Sequence, residues 1–268
     1  MSILQWIKER EIEGKPTFSF REVQQGFPQM PLNIVQNELY RLTKQRDIAL
    51  VHKGFYVRVP VQYKRWGLIS PYYYIDQLMA YLNKPYYIGL LTAGELHGAA
   101  HQKPQRFCVV TTLPSSNVSA RVNPILFWSY RRTIPASLLL RKNSETAEIR
   151  YSNAELTALD LVQYSQYIGG LSRASTVLAE LMEKADFSKT SSELFKIGTV
   201  AAFQRLGYIL EEILNCHSQG EALHQRLKEN KASFRWIDLS RQSKHRQAFA
   251  QNERWKIRVN AILEVDEL

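Results

Sequence analysis

The chain has 268 residues, a formal net charge of +10, 45% hydrophobic and 22% charged residues, and no low-complexity run. That balance excludes a disordered chain, and the length buries a core without staples, with room for a small domain and a larger one. Two cysteines, Cys108 and Cys216, are too few and too far apart for a disulfide framework or a cysteine zinc site, and read as reduced residues. The first ten residues lack the apolar run of a signal peptide, and no later stretch approaches the roughly 18 to 20 apolar residues of a membrane span. A soluble, cytoplasmic protein with no membrane partner is expected. The basic excess suits a polyanion, because each neutralised phosphate releases counterions.

Ile3, Leu4, Ile7 and Ile12 form an apolar stripe that predicts a first helix, stopped by Gly14-Lys-Pro16. Ser19 with Glu22 three residues on is a capping box, opening a short helix that ends at Gly26-Phe-Pro28. A third helix starts at Pro31 and runs to about Gln45, burying Val35, Leu39 and Leu42 at i, i+4, i+7. Its other faces carry Asn33, Gln36, Asn37, Tyr40, Arg41 and Lys44. Amides pair bidentately with adenine and Arg with guanine, whereas an idle solvated face is richer in Glu and Lys. Ile48–Val51 and Phe55–Val59 flank a short Gly-containing loop, which predicts a hairpin whose cations are His52, Lys53 and Arg58. Three helices followed by a basic hairpin is the order of a winged helix-turn-helix, expected over residues 1–62.

Residues 63–71 are aromatic and basic and read as a linker, with Trp66 among them; residues 72–268 read as one larger α+β domain. Thr92-Ala-Gly-Glu95 reads as a second capping box, with Gly98 closing the helix it opens. Strands are expected at 107–112, 125–130 and 147–151. Helices are expected at 154–164, 173–184, 192–214 with a break near Gly198, and 221–230. Final strands at 235–239 and 255–259 are expected to join the sheet begun before residue 151.

Candidate chemistry is sparse. His97 and His101 stand four apart, but Gly98 interrupts the helix and no third ligand is near. Gly169-Gly-Leu-Ser172 resembles a phosphate-cradling turn, yet a helix stop followed by a Ser172 cap explains it more simply. Glu211-Glu212 and Asp238 lack the partners of a nuclease core, and no Asp-x-Asp supplies a magnesium pair. No catalytic residue, metal or cofactor is expected. Arg131, Arg132, Arg254 and Arg258, with Tyr130, Trp236 and Trp255, form a candidate basic patch for RNA or a protein partner, although a plain solvated surface explains them as well. They belong in part to a block, Arg226–Arg258, with ten Lys or Arg against three acids.

Four segments carry a family resemblance that covers nearly the whole chain. They are the N-terminal unit ending in Gly54-Phe-Tyr-Val-Arg58; Tyr86-Tyr-Ile-Gly-Leu-Leu-Thr-Ala-Gly-Glu-Leu-His-Gly98; Asn153-Ala-Glu-Leu-Thr-Ala-Leu-Asp-Leu-Val162 with Gly169-Gly-Leu-Ser172; and Trp255-Lys-Ile-Arg-Val-Asn260. Through these the chain resembles the AbiEi antitoxin family of transcriptional regulators in phage defence. The resemblance implies a repressor of its own operon, binding a double-stranded DNA operator. It also implies pairing with an AbiEii-like nucleotidyltransferase toxin in a type IV toxin–antitoxin system, where the antitoxin opposes the toxin without necessarily touching it. The alternatives are a nucleic-acid enzyme, either nucleotidyltransferase or nuclease, and a stand-alone regulator without a toxin.

Overall fold

The computed structural model describes residues 1–65, 69–99, 104–118, 125–241 and 248–265, and is mixed α+β. It divides into two compact units. The first comprises Met1–Tyr87, Gln105–Arg132 and Arg141–Arg150; the second comprises Ile88–Pro104, Thr133–Leu140 and Tyr151–Leu268. Both borders of the expected linker, residues 62 and 72, fall inside the first unit. Trp66 lies outside the described residues.

The first unit opens with α1 (Ile3–Ile12), β1 (Thr17–Ser19), α2 (Phe20–Gly26), α3 (Leu32–Lys44), β2 (Ile48–His52) and β3 (Phe55–Arg58). Ser19 caps α2 as expected: its hydroxyl accepts from the Glu22 amide at 3.1 Å, while the Glu22 carboxylate accepts from the Ser19 amide at 2.7 Å. Ile3, Ile7, Val23, Val35, Leu39 and Leu42 bury one face of each helix against Phe18 and Ile48. Ile12 does not join them and is 86% exposed. Five residues beyond Ile7, at about 100° per residue, it has turned off the stripe. The strand β1, not expected, pairs antiparallel with β3, which also pairs antiparallel with β2, in the order β1-β3-β2. A short α4 (Val61–Lys64), a 3-10 turn at Pro71–Tyr73 and α5 (Ile75–Tyr81) follow.

Beyond these come β4 (Tyr86–Ile88), α6 (Leu90–Leu96), β5 (Arg106–Thr111), β6 (Ser116–Val118), β7 (Ile125–Tyr130), β8 (Leu139–Asn143) and β9 (Glu148–Ser152). The strands form a sheet in the order β6-β7-β5-β4-β9-β8. β5 and β7 run parallel from Arg106↔Ile125 to Thr111↔Tyr130, and β6 is antiparallel to β7. Phe107, Cys108, Val109 and Val110 are all buried, the continuous apolar run that a parallel strand requires. The strand β8 was not expected, because its side chains are mostly exposed and polar.

The second unit is mainly helical: α6, α7 (Ala154–Gln163), α8 (Leu171–Leu181), α9 (Glu193–Ile197), α10 (Val200–Tyr208) with a π-helical turn at Ile209–Ile213, and α11 (His217–Glu229). The expected break at Gly198 is present between α9 and α10. α7 is buried from Ala154 to Val162, with Asn153 accepting from the Leu156 amide as its cap. Three sequence expectations need correction. α6 begins two residues before Thr92, with Gly89 as its cap and no side-chain hydrogen bond, so the box at Thr92–Glu95 is not a cap; Thr92 is interior and buried. α8 is capped by Gly170, and Ser172 lies within the helix. Finally, β10 (Ile237–Asp238), β11 (Ala250–Asn252) and β12 (Ile257–Val259) make their own sheet, in the order β10-β12-β11, and do not extend the earlier one. With β10 on one edge of β12 and β11 on the other, both of its hydrogen-bonding edges are occupied.

Candidate nucleic-acid interface

The amphipathic pattern of α3 sorts its residues cleanly. Val35, Leu39 and Leu42 are buried, while Asn33, Gln36, Asn37, Tyr40, Arg41 and Lys44 are all exposed, as the spacing predicts. Two apolar residues that sequence reasoning passed over, Leu32 and Ile34, are also exposed on the first turn, at 56% and 48%. Spacing gave a signal for Ile34 alone, which falls off the stripe; Leu32, three residues before Val35, lies on its line and is exposed because it sits in the first turn. Apolar side chains beside amides suit a thymine methyl group. Pro31 is the N-cap and supplies no side-chain acceptor, so the helix starts with open amide donors.

The cations on this face are not equivalent. Arg41 is held by Glu38 through both arms of its fork, Nε to Oε2 at 2.8 Å and Nη2 to Oε1 at 2.6 Å, and Nη1 donates to Gln45 at 3.0 Å. The hydrogen bond from Arg41 holds the Glu38 carboxyl below its ordinary range, against the opposing effect of burial. Lys44 sits over the Tyr40 ring at 5.4 Å. Lys53 is exposed at the hairpin tip, where the Tyr81 hydroxyl donates to its carbonyl at 3.3 Å. Gly54 has φ 72°, and a Cβ there would stand 3.0 Å from the Tyr81 hydroxyl, so the tight turn needs glycine. His52 is half-buried.

Arg58 is not a surface contact, and the expectation that it touches nucleic acid is corrected. It is 5% exposed and donates to the Asp47 carbonyl at 2.6 Å, to the Asp47 carboxylate at 3.2 Å and to Glu11 at 3.1 Å. Lys64 completes the cluster on the Asp47 carboxylate. Burial works to raise the Asp47 pKa, but Lys64 and Arg58 overcome it and the net direction is down.

The second candidate patch dissolves in a similar way. Arg131 is 4% exposed, so it does not belong to a surface patch. Arg132 is exposed and, among the described residues, makes no ion pair. Arg254 bridges Glu211 and Glu221, and Arg258 pairs with Asp238 at 2.7 Å. Trp255 is fully buried and cannot stack on a base, while Tyr130 remains 48% exposed and Trp236 packs under Lys256 at 5.0 Å. Arg131 and Arg132 belong to the first unit, Arg254 and Arg258 to the second. Within the basic block, Lys244 and Arg246 lie outside the described residues.

His97 is buried with Nε2 2.8 Å from the Ser152 carbonyl, and burial lowers its pKa; His101 lies outside the described residues. Among the described residues no three His, Cys, Asp or Glu side chains gather as metal ligands, and no helix is long and apolar enough to cross a membrane. Cys108 and Cys216 are free thiols.

Residues 87–212 match the family model of the AbiEi antitoxin C-terminal domain, which bears out the sequence resemblance over that span. A crystal structure of the RV2827C protein from Mycobacterium tuberculosis is similar in fold, with a TM-score of 0.62 at 12% identity over 94% of this chain and 90% of that one. No curated protein matches the chain.

Proposed function

We propose that this chain, which carries the AbiEi antitoxin C-terminal domain over residues 87–212, is a DNA-binding repressor of its own operon and the antitoxin of a type IV toxin–antitoxin pair. Its toxin is a nucleotidyltransferase of the AbiEii kind, opposed without a requirement for direct contact. The protein performs no catalysis and acts in the cytoplasm. Its N-terminal helices and hairpin serve as a winged helix-turn-helix, with α3 in the major groove of the operator and Lys53 on the flanking backbone.

One observation carries the DNA reading. The face of α3 opposite the buried Val35–Leu39–Leu42 stripe offers Asn33, Gln36 and Asn37 side by side, at the start of a helix whose first amides lack a side-chain cap. Side-chain amides match the adenine edge, and open helix-terminal N–H groups donate to a phosphate. The net charge of +10 supplies the sequence-independent part of the attraction.

The test is fluorescence anisotropy of the full chain on DNA from upstream of its own gene, beside a random duplex, from about 50 to 200 mM salt. Operator affinity should fall steeply with salt while staying well above that for the random duplex. Equal affinities at moderate salt would end the repressor reading.

A further inference from the structure

Gly169 and Gly170 lie apart from α3 in sequence and lead into the start of α8. Their φ values are 101° and 98°, and a Cβ on Gly170 would meet nothing within 4 Å. Beyond Gly170 opens a cleft of about 200 Å³, lined by Leu171, Thr199, Arg205, Ser240 and Arg241 among others. Among the described residues that line the cleft, two are arginines and none is a carboxylate. Arg205 is 8% exposed, and among the described residues its guanidinium is held by carbonyls: Nε donates to Leu239 at 2.8 Å and Nη2 to Asp238 at 2.7 Å. Carbonyl oxygens orient a guanidinium but leave its charge uncancelled. The Asp238 carboxylate acts on Arg205 from nearby but is itself paired with Arg258 at 2.7 Å. Arg241 is exposed, lines the same cleft and, among the described residues, has no ion pair. Burial first, then the like charge of Arg241, bring Arg205 down to about 10, which leaves it charged at neutral pH.

Two like charges facing one cleft repel each other until an anion sits between them. The start of α8 adds to the pull. Gly170 gives its first turn no side-chain acceptor, so the amides of Leu171, Ser172 and Arg173 have no side-chain cap, whereas at the start of α10 Thr199 accepts from the Ala202 amide. We infer that this cleft binds a phosphate monoester, with Arg205 and Arg241 on its oxygens and the first amides of α8 behind them. The volume is several times the ~30 Å³ share of one water, enough for a phosphate group and the sugar carbon that bears it. Planar guanidinium forks match phosphate geometry, which distinguishes this site from one that merely collects counterions. The inference is independent of operator binding.

The test uses the full chain at constant ionic strength. Inorganic phosphate is titrated by calorimetry and thermal shift with chloride as the control, and then AMP is compared with adenosine. A 5′-phosphorylated tetraribonucleotide is compared with its 5′-hydroxyl form. Phosphate should raise the melting temperature where chloride does not, and each phosphorylated member should bind at least tenfold tighter than its partner. The tighter of the two pairs identifies the source as a free nucleotide or an RNA end. Arg205→Gln risks the fold, because Arg205 anchors two carbonyls; Arg241→Glu, at an exposed residue, avoids that risk. Arg241→Glu should not lower the unliganded melting temperature, since it relieves the repulsion with Arg205, and should weaken phosphate binding at least tenfold. Unaltered binding in that variant, or no preference for the phosphorylated members, would overturn the site.

Discussion

The indole Nε1 of Trp255 donates to the Glu211 carboxylate at 2.7 Å, and both side chains are buried. Arg254 lies on the same carboxylate at 3.1 Å, and Gln204 donates to the Trp255 carbonyl at 2.7 Å. The π-helical turn Ile209–Ile213 therefore presents Glu211 to the segment that leads into β12. Gly207 makes room for the ring: a Cβ there would lie 2.2 Å from it. Gly207→Ala should therefore destabilise the second unit by about 3 kcal/mol, the upper end for overpacking a core. Denaturant melts read this directly, and a wild-type midpoint would contradict the packing. Glu211→Gln should also lower stability. Neither variant should alter nucleotide or tRNA turnover, which is expected to be nil with magnesium or manganese in the wild type as well.

A second prediction concerns Arg58. Removing one partner from a buried ion cluster leaves the others uncompensated, so Arg58→Ala should cost about 3 kcal/mol or more. A DNA contact would instead lose affinity with little change in melting temperature. The pH dependence follows from Asp47, whose folded pKa lies below its unfolded value of roughly 3.9. Its contribution is fully present above that unfolded value and is lost as pH falls through the lower folded one. The stability gap between wild type and Asp47→Asn should hold at pH 6 and close on the acid limb. A gap that persists unchanged at the lowest pH would remove the cluster from the account.

Much of this was legible in the sequence wherever the cause was local. The α3 stripe, the Ser19–Glu22 box and the break at Gly198 each follow from residues a turn apart. Arg58 was misplaced because its partners are distant, Asp47 11 residues away and Glu11 47 away. A cation at the end of a strand reads as surface until the chain folds back on it. Trp255 was misplaced for the same reason, since its cradle comes from Gly207 and Glu211 on a different element. The Thr92–Glu95 spacing matched a capping box by coincidence, because backbone turning at Leu90, with φ 54°, starts α6 earlier. The Gly169-Gly170 pair was visible, but the arginines of its cleft lie more than 30 residues downstream.

On α3, Glu38 restrains Arg41, and if α3 enters the groove as proposed its carboxylate faces the DNA phosphates. Glu38→Ala should free the guanidinium, tighten binding to any duplex and steepen the salt dependence by about 0.9 in log–log slope for one more neutralised phosphate. Gln36→Ala should weaken binding to the operator alone, and Lys53→Ala should weaken it on all sequences alike. An unchanged salt slope in Glu38→Ala would mean that Arg41 already reaches the backbone in the wild type.

The last prediction concerns separability, which the first unit complicates. The Tyr81 ring of α5 lies 5.1 Å from that of Phe55, and its hydroxyl reaches the Lys53 carbonyl. Phe55 is 3% exposed in the full chain, so cutting near residue 62 strips cover from the hairpin, and cutting at Tyr72 strips Phe55 from Tyr81. A 60-residue unit buries a smaller share of its surface than one of about 200 residues, so the loss weighs more on the smaller piece. Residues 1–62 alone should melt well below the full chain and bind the operator weakly. Residues 72–268 should fold, lose operator binding and still protect cells against a co-expressed toxin, because they contain the whole AbiEi antitoxin C-terminal domain match. Tyr81→Ala in the full chain provides the control: it should loosen the hairpin and weaken operator binding while leaving protection intact. Protection by residues 1–62 beside a folded but inactive 72–268 fragment would reverse the assignment of roles.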